Sequence, residues 1–258
     1  MIKKGIVLTA TLALLFGLSS CSNSQIKDVK ISDYKTEVSF EEYHKWEDKF
    51  NSMKLNKDYT ITGSNKSTRT YDLLEDDVVI ETFKAESIDK SEIKNDYDNK
   101  MITQKSTSNS NSETKNNSGV EKSKSNSADE SFAQYYNDKF YKFDKDDKSV
   151  LQMINYDIYA ISLVQITGMV KEDTFDKFYI DNDVYTAVNE EENVKVIIQC
   201  TFKNDSFTFA YVIEENNNQE LNSGKVKKEK INNQLQMNFN FKDLELTPYT
   251  DLSEYKFN

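Results

Sequence analysis

Apolar and polar side chains alternate most regularly between residues 194 and 213. Val194, Val196, Ile198, Cys200 and Phe202 share one parity, Lys195, Gln199, Thr201 and Lys203 hold the other, and Ile197 is the one apolar exception; after Asn204-Asp205 the alternation resumes as Phe207, Phe209, Tyr211 and Ile213. A period of two predicts two strands, each with one buried face, joined by a tight polar turn. The same period returns at Leu235, Met237, Phe239 and Phe241, after a polar loop spanning 216–230. Leu244 and Leu246 fall on the other parity, which predicts a bulge or bend near Lys242-Asp243, and Pro248 closes the run. Upstream, residues 58–63 and 70–83, the latter around Val78-Val79-Ile80, predict an antiparallel pair. Residues 132–136 and 139–143 predict an aromatic hairpin turning at Asn137-Asp138.

Two stretches carry the helical period instead. Tyr43, Trp46, Phe50 and Met53 recur at spacings of three and four, so one face of a helix ending near Leu55 is apolar. Ser39 is placed to cap it, Glu42 to close a capping box, and Val38 with Tyr43 to form a hydrophobic staple. A second helix is predicted after a cap at Asp146 or Asp147, with Leu151, Ile154, Ile158 and Ile161 on one face and Gly168 as its stop. Phe175 and Phe178 fit either a short third helix or the lead into the next strand.

Between about residues 86 and 130 the composition turns to Ser, Asn, Lys, Thr and acids, with few large apolar side chains from 106 to 127. Such a segment has little burial to offset its ordering entropy, and it is predicted to be a disordered insertion within one domain spanning 38–258. The pattern therefore predicts an α+β fold, a curved antiparallel sheet (half-barrel) with one or two amphipathic helices packed on it.

The first twenty residues add an address. Lys3 and Lys4 precede an uncharged apolar run, too short and too abruptly ended for a membrane span, with the form of a signal peptide. The sequence Leu18-Ser19-Ser20-Cys21 at its end resembles the bacterial lipobox. That resemblance implies cleavage before Cys21, a lipid on its thiol and usually a further acyl chain on the new N-terminus; two or more chains give stable attachment to a bilayer. The expected location is the extracytoplasmic face of the cell membrane, with the polar residues 21–37 as a tether.

Charge and composition narrow the chemistry. The chain has 33 basic and 44 acidic residues, a formal net charge of −11, and losing the first twenty residues removes two lysines and no acid. So acidic a surface repels nucleic acid and anionic headgroups. Arg69 is the only arginine, so bidentate phosphate clamps are scarce. With Cys21 acylated, Cys200 has no disulfide partner, and its place on an apolar face predicts a core residue. His44 is the only histidine, which leaves nothing to build a zinc site or a catalytic triad. Asp181-Asn182-Asp183 lacks the downstream glycine and glutamate of an EF-hand and reads as a turn. The glycines are isolated, so no phosphate loop is present. No cofactor is expected, and no residues stand out for catalysis.

The order of elements, with a first helix from Phe40, a strand at 58–62, the Tyr135-Tyr136/Phe140-Tyr141 hairpin and late strands to Leu246, resembles the lipoprotein-carrier (LolA/LppX-like) fold group. In that group a concave sheet face can hold acyl chains. The resemblance implies binding of an apolar or lipid-like ligand, or of a protein, on the sheet, with Tyr59, Phe140, Phe202, Phe209, Met237 and Phe239 as candidate lining. The same six residues are expected if the core is simply closed. A second reading is an interaction or display module whose Ser/Asn/Lys-rich loop folds on a partner.

Overall fold

The computed structural model describes residues 28–54, 57–163, 166, 169–241 and 249–257. Cys21, the signal segment, the first part of the tether, Leu55, Gly168, Leu244, Leu246, the Lys242-Asp243 bend and Pro248 lie outside the described residues, as does the side chain of Ile161. In chain order the elements are β1 (Glu37–Val38), α1 (Phe40–Lys54), β2 (Tyr59–Glu75), β3 (Val78–Asp96), β4 (Met101–Asn116), β5 (Gly119–Tyr136), β6 (Lys139–Asp144), β7 (Ser149–Gln152), α2 (Tyr156–Leu163), β8 (Lys177–Asp181), β9 (Val184–Glu191), β10 (Val194–Lys203), β11 (Ser206–Glu220), β12 (Val226–Asn240) and β13 (Lys256–Phe257).

All thirteen strands join one sheet in the order β1-β8-β9-β10-β11-β12-β2-β3-β4-β5-β6-β7-β13. Two antiparallel meanders, β2 to β7 and β8 to β12, meet where β12 returns to β2, in unbroken register from Val226↔Leu74 to Asn240↔Thr60. Only β13 is parallel to its neighbour. The strand order has two ends, so the sheet is open among the described residues. The expected α+β half-barrel is thereby corrected: the architecture is a single large, mostly antiparallel sheet to which two helices add little. Tight turns set the register. Asp76-Asp77 and Asn137-Asp138 both adopt positive φ at both central positions, which suits residues that tolerate the left-handed region.

One face of the sheet carries the alternating apolar residues, and the helices lie on it. Ser39 caps α1, its hydroxyl accepting from the Glu42 N–H at 3.3 Å; the Glu42 carboxylate returns to that hydroxyl at 3.5 Å rather than to the backbone. Tyr43, Trp46 and Phe50 are fully buried, as the helical period requires. The second helix departs from expectation. Asp144 accepts from the Asp146 and Asp147 N–H groups and makes a turn there, so α2 starts only at Tyr156. Its buried face is Tyr156 and Ala160, while Leu151, Ile154 and Ile158 are exposed, Ile154 at 92%. Spacing alone could not tell an inward from an outward stripe once the helix began elsewhere.

The polar segment from 86 to 130, expected to be a disordered insertion, is instead strand: the end of β3, all of β4 and most of β5. Its physical support is the neighbouring strands. β2, β3, β4 and β5 are each rooted in the core, through Ile61, Ile93, Ile102 and Ala133, and the buried ends fix the register of the polar ends. Beyond the core they form a polar wing in which Ser67, Ser87, Ser110 and Ser125 stand in one row across four strands. Lys122–Glu113 and Lys105–Glu130 pair across the β4–β5 ladder at 2.9 Å. At the outer end Tyr71 stacks on Phe83, and Arg69 and Lys227 both reach Glu229.

Candidate functional site

The six residues that the lipoprotein-carrier resemblance offers as ligand lining converge on the core. Phe209, Phe239, Met237, Phe140, Phe202 and Tyr59 are all buried beneath α1, α2 and the segment that follows α2. Phe50 of α1 sits 4.5 Å from the Phe207 ring and 5.1 Å from that of Phe239, and Trp46 stacks on Phe207 at 5.9 Å. Phe140 packs edge-on to Tyr156 of α2, and Tyr59 edge-on to Phe241. Those rings pack against one another, as the close packing of an apolar face favours. Among the described residues all six belong to one buried core cluster.

Cys200 lies in that core, fully buried, and burial first and the charge of Glu47 second push its thiol well above the ordinary range. A thiol so placed is a packing element rather than a nucleophile. His44 stays at the edge of α1, 3.5 Å from Glu47 one turn on. Asp181 behaves as a turn acceptor: its carboxylate takes the Lys35 N–H and the Thr36 hydroxyl, and those bonds hold it below the usual carboxylate range. The other displaced acids are likewise stabilised ions. Lys122 lowers Glu113, the Ser253 N–H lowers Asp251, and at Glu229 the bonds from Lys227 and Arg69 outweigh burial. A general acid needs the opposite displacement. Among the described residues no three His, Cys, Asp or Glu side chains come together as a metal site, and no helix is long and apolar enough to cross a membrane.

The opposite face of the sheet is partly open and mainly polar where β10, β11, β12 and β2 run side by side, although Gln199 and Ala210, like Ile197 and Val212 on the same parity, are buried on it. Thr201, Thr208, Asn238 and Thr62 form one row across those strands, and Gln199, Ala210, Gln236 and Ser64 the next. Residues 28–36 cross this face instead of standing away from it. Ser32 exchanges two hydrogen bonds with the Gln199 side chain, its N–H donating at 2.8 Å and its carbonyl accepting at 3.0 Å, so the amide imitates a strand partner. Val29 donates to Gln234, and Asp28 pairs with Lys66 at 2.8 Å.

Two grooves lie on this face. One, of 570 Å³, lies along the strap between Lys30, Ser32, Gln199 and Gln236. The other, of 610 Å³, opens at the β10–β11 turn between Lys203, Asp205, Thr62 and Asn240. Thr208 lines both, so they adjoin. The side chains between them are already ordered by one another: Thr208 and Gln236 both donate to the Asn238 side-chain oxygen Oδ1, at 3.1 and 2.9 Å. The sequence signal for this face was the polar parity of the same strands whose apolar parity marked the core. Alternation shows which side is polar and not what crosses it.

No family model and no curated protein matches the chain. Solved structures give distant matches. A deltaS2 mutant of the monoaromatic hydrocarbon channel TodX is 6% identical over 72% of this chain and 91% of its own, with a TM-score of 0.32. The toluene transporter TodX of Pseudomonas putida is 6% identical over 76% and 92%, with a TM-score of 0.28. A low-pH form of OprB from Pseudomonas putida is 6% identical over 72% and 57%, with a TM-score of 0.21. At these scores the likeness does not extend to a shared fold.

Proposed function

We propose that the chain is a membrane-anchored extracytoplasmic lipoprotein that acts by binding rather than by catalysis, and that it engages a protein partner across the open polar face of its sheet. The observation that carries this reading is the pair of adjoining grooves on that face, lined by hydroxyl and amide side chains whose positions are set before any partner arrives. Preset donors and acceptors lose little freedom on binding, which favours recognition of another hydrogen-bonding surface. The ring packing on the apolar face supports a protein partner over an acyl ligand, with lipid in the role of anchor.

The lipobox-like end of the leader supports the anchor. Asp28 is seven steps along the chain from Cys21, which is a reach of at most about 25 Å for an extended chain. Asp28 lines the groove along the strap, so an anchor on Cys21 would hold that face close to the bilayer. Labelled palmitate should enter the full chain and not its Cys21→Ser form, and the wild type should sediment with membranes; unlabelled protein in the cytosol would overturn the anchor. A photoreactive amino acid at Gln236 should form a discrete adduct on intact cells, lost on Thr208→Trp. Adducts no stronger than those from Lys45, on the exposed side of α1, would overturn the site.

A further inference from the structure

The pairing of β5 leaves one of its edges open. On one side it pairs with β4 from Gly119 to Gln134, whereas on the other it meets β6 only from Phe132 to Tyr136. From Glu121 to Glu130 the backbone groups directed away from β4 have no strand beside them among the described residues, and apart from Ser127 every side chain there is exposed. Open edges are usually blunted by brevity, proline, a bulge or unopposed charge. This one carries charge at Glu121, Lys122, Lys124, Asp129 and Glu130, but it is long, holds no proline, and keeps unbroken register with β4.

Its charges are arranged to complement themselves. We propose that this edge pairs antiparallel with the same edge of a second copy, about a two-fold axis through Asn126, so that one sheet continues across two molecules. Direct pairs then have numbers summing to 252: Lys122 faces Glu130 of the second copy and Glu130 faces its Lys122, with Lys124 opposite Ala128 and Ser125 opposite Ser127. Within one chain Lys84, Glu113 and Lys122 already stand in one row, as do Glu92, Lys105 and Glu130. Joining the edges sets those rows end to end, plus-minus-plus against minus-plus-minus, on one face of the sheet. Opposite charges directly across a ladder stabilise it and like charges oppose it. The neighbouring registers lose this match. A shift one way sets Glu121 against Asp129, and a shift the other way carries Glu121 to Ala133, which β6 already occupies through Lys142.

The test uses the full chain with Cys21→Ser, in which the remaining thiol, Cys200, is buried. Analytical ultracentrifugation should show a dimer at tens of micromolar. Under mild oxidation the Asn126→Cys chain should cross-link to itself at least ten times faster than Lys124→Cys, which lies on the same edge but away from the axis. Lys122→Glu sets acid against Glu130 of the second copy, and should weaken the dimer at least tenfold with an unchanged circular dichroism spectrum. A monomer at every concentration, equal cross-linking of the two cysteine variants, a dimer indifferent to Lys122→Glu, or an edge that captures only a foreign strand would each overturn self-pairing.

Discussion

Tyr211 places its ring in the core on β11 while its hydroxyl meets no hydrogen-bond partner among the described residues. A buried hydroxyl without a partner costs about 1–3 kcal/mol of desolvation, so the ring stabilises and the oxygen does not. Tyr211→Phe should therefore leave the urea midpoint unchanged or raise it; a loss of more than about 1 kcal/mol would show a hydrogen bond that the geometry lacks. Cys200 behaves oppositely, since every part of it is apolar enough to belong where it is. Its thiol should resist an aromatic disulfide reagent at pH 8 in the native Cys21→Ser chain and react at once in denaturant, whereas prompt native labelling would mean that α1 opens readily.

At the scale of elements, α1 closes the apolar face, and Phe50 touches Phe207, Phe239 and Phe241 together. Phe50→Ala should cost about 3–5 kcal/mol in denaturant unfolding, the range for truncating a buried ring. A loss under about 1 kcal/mol would mean the helix is dispensable to the core. This helix was legible in the sequence because period, cap and aromatic seam all agreed at Ser39, Tyr43, Trp46 and Phe50. The hairpins at Asn137-Asp138 and Asn204-Asp205 were legible for the same reason, alternation meeting turn chemistry. The wing was not, because Ser106 to Ser127 carries no apolar alternation; its order comes from pairing with β3 and from strand ends rooted in the core at Ile93, Ile102 and Ala133. The face carrying the grooves was half legible: parity marked it polar, but nothing local said that residues 28–36 would cross it. Support borrowed from neighbours is weaker than burial, so amides of the wing, in 106–116 and 119–129, should exchange hydrogen by local opening well before those of β10. Equal protection in the two regions would mean that the wing and the core form one cooperative unit.

For the whole molecule the buried aromatics tie stability to pH on the alkaline side. Burial pushes the hydroxyls of Tyr43, Tyr59, Tyr156 and Tyr211 up, as it does the Cys200 thiol. Unfolded, these groups release protons near about 10 for tyrosine and about 8.5 for cysteine. Above those values the unfolded chain binds fewer protons than the folded one, so stability is complete below about pH 8.5 and falls as pH rises. On the acid side the lowered carboxylates Glu113, Asp181 and Asp251 are exposed, so their contribution above about pH 4 is screened and slight. The net charge of −11 grows more negative with pH and adds self-repulsion in the same direction as the tyrosines. The unfolding midpoint should thus be nearly level between about pH 6 and 8 and drop steeply beyond about 10. Removing one titrating hydroxyl separates the two causes, because net charge at pH 11 changes little while one proton leaves the balance. Tyr59→Phe should flatten the slope above pH 10 by up to about 1.4 kcal/mol per pH unit, the limit for one proton, and an unaltered slope would assign the alkaline loss to repulsion instead.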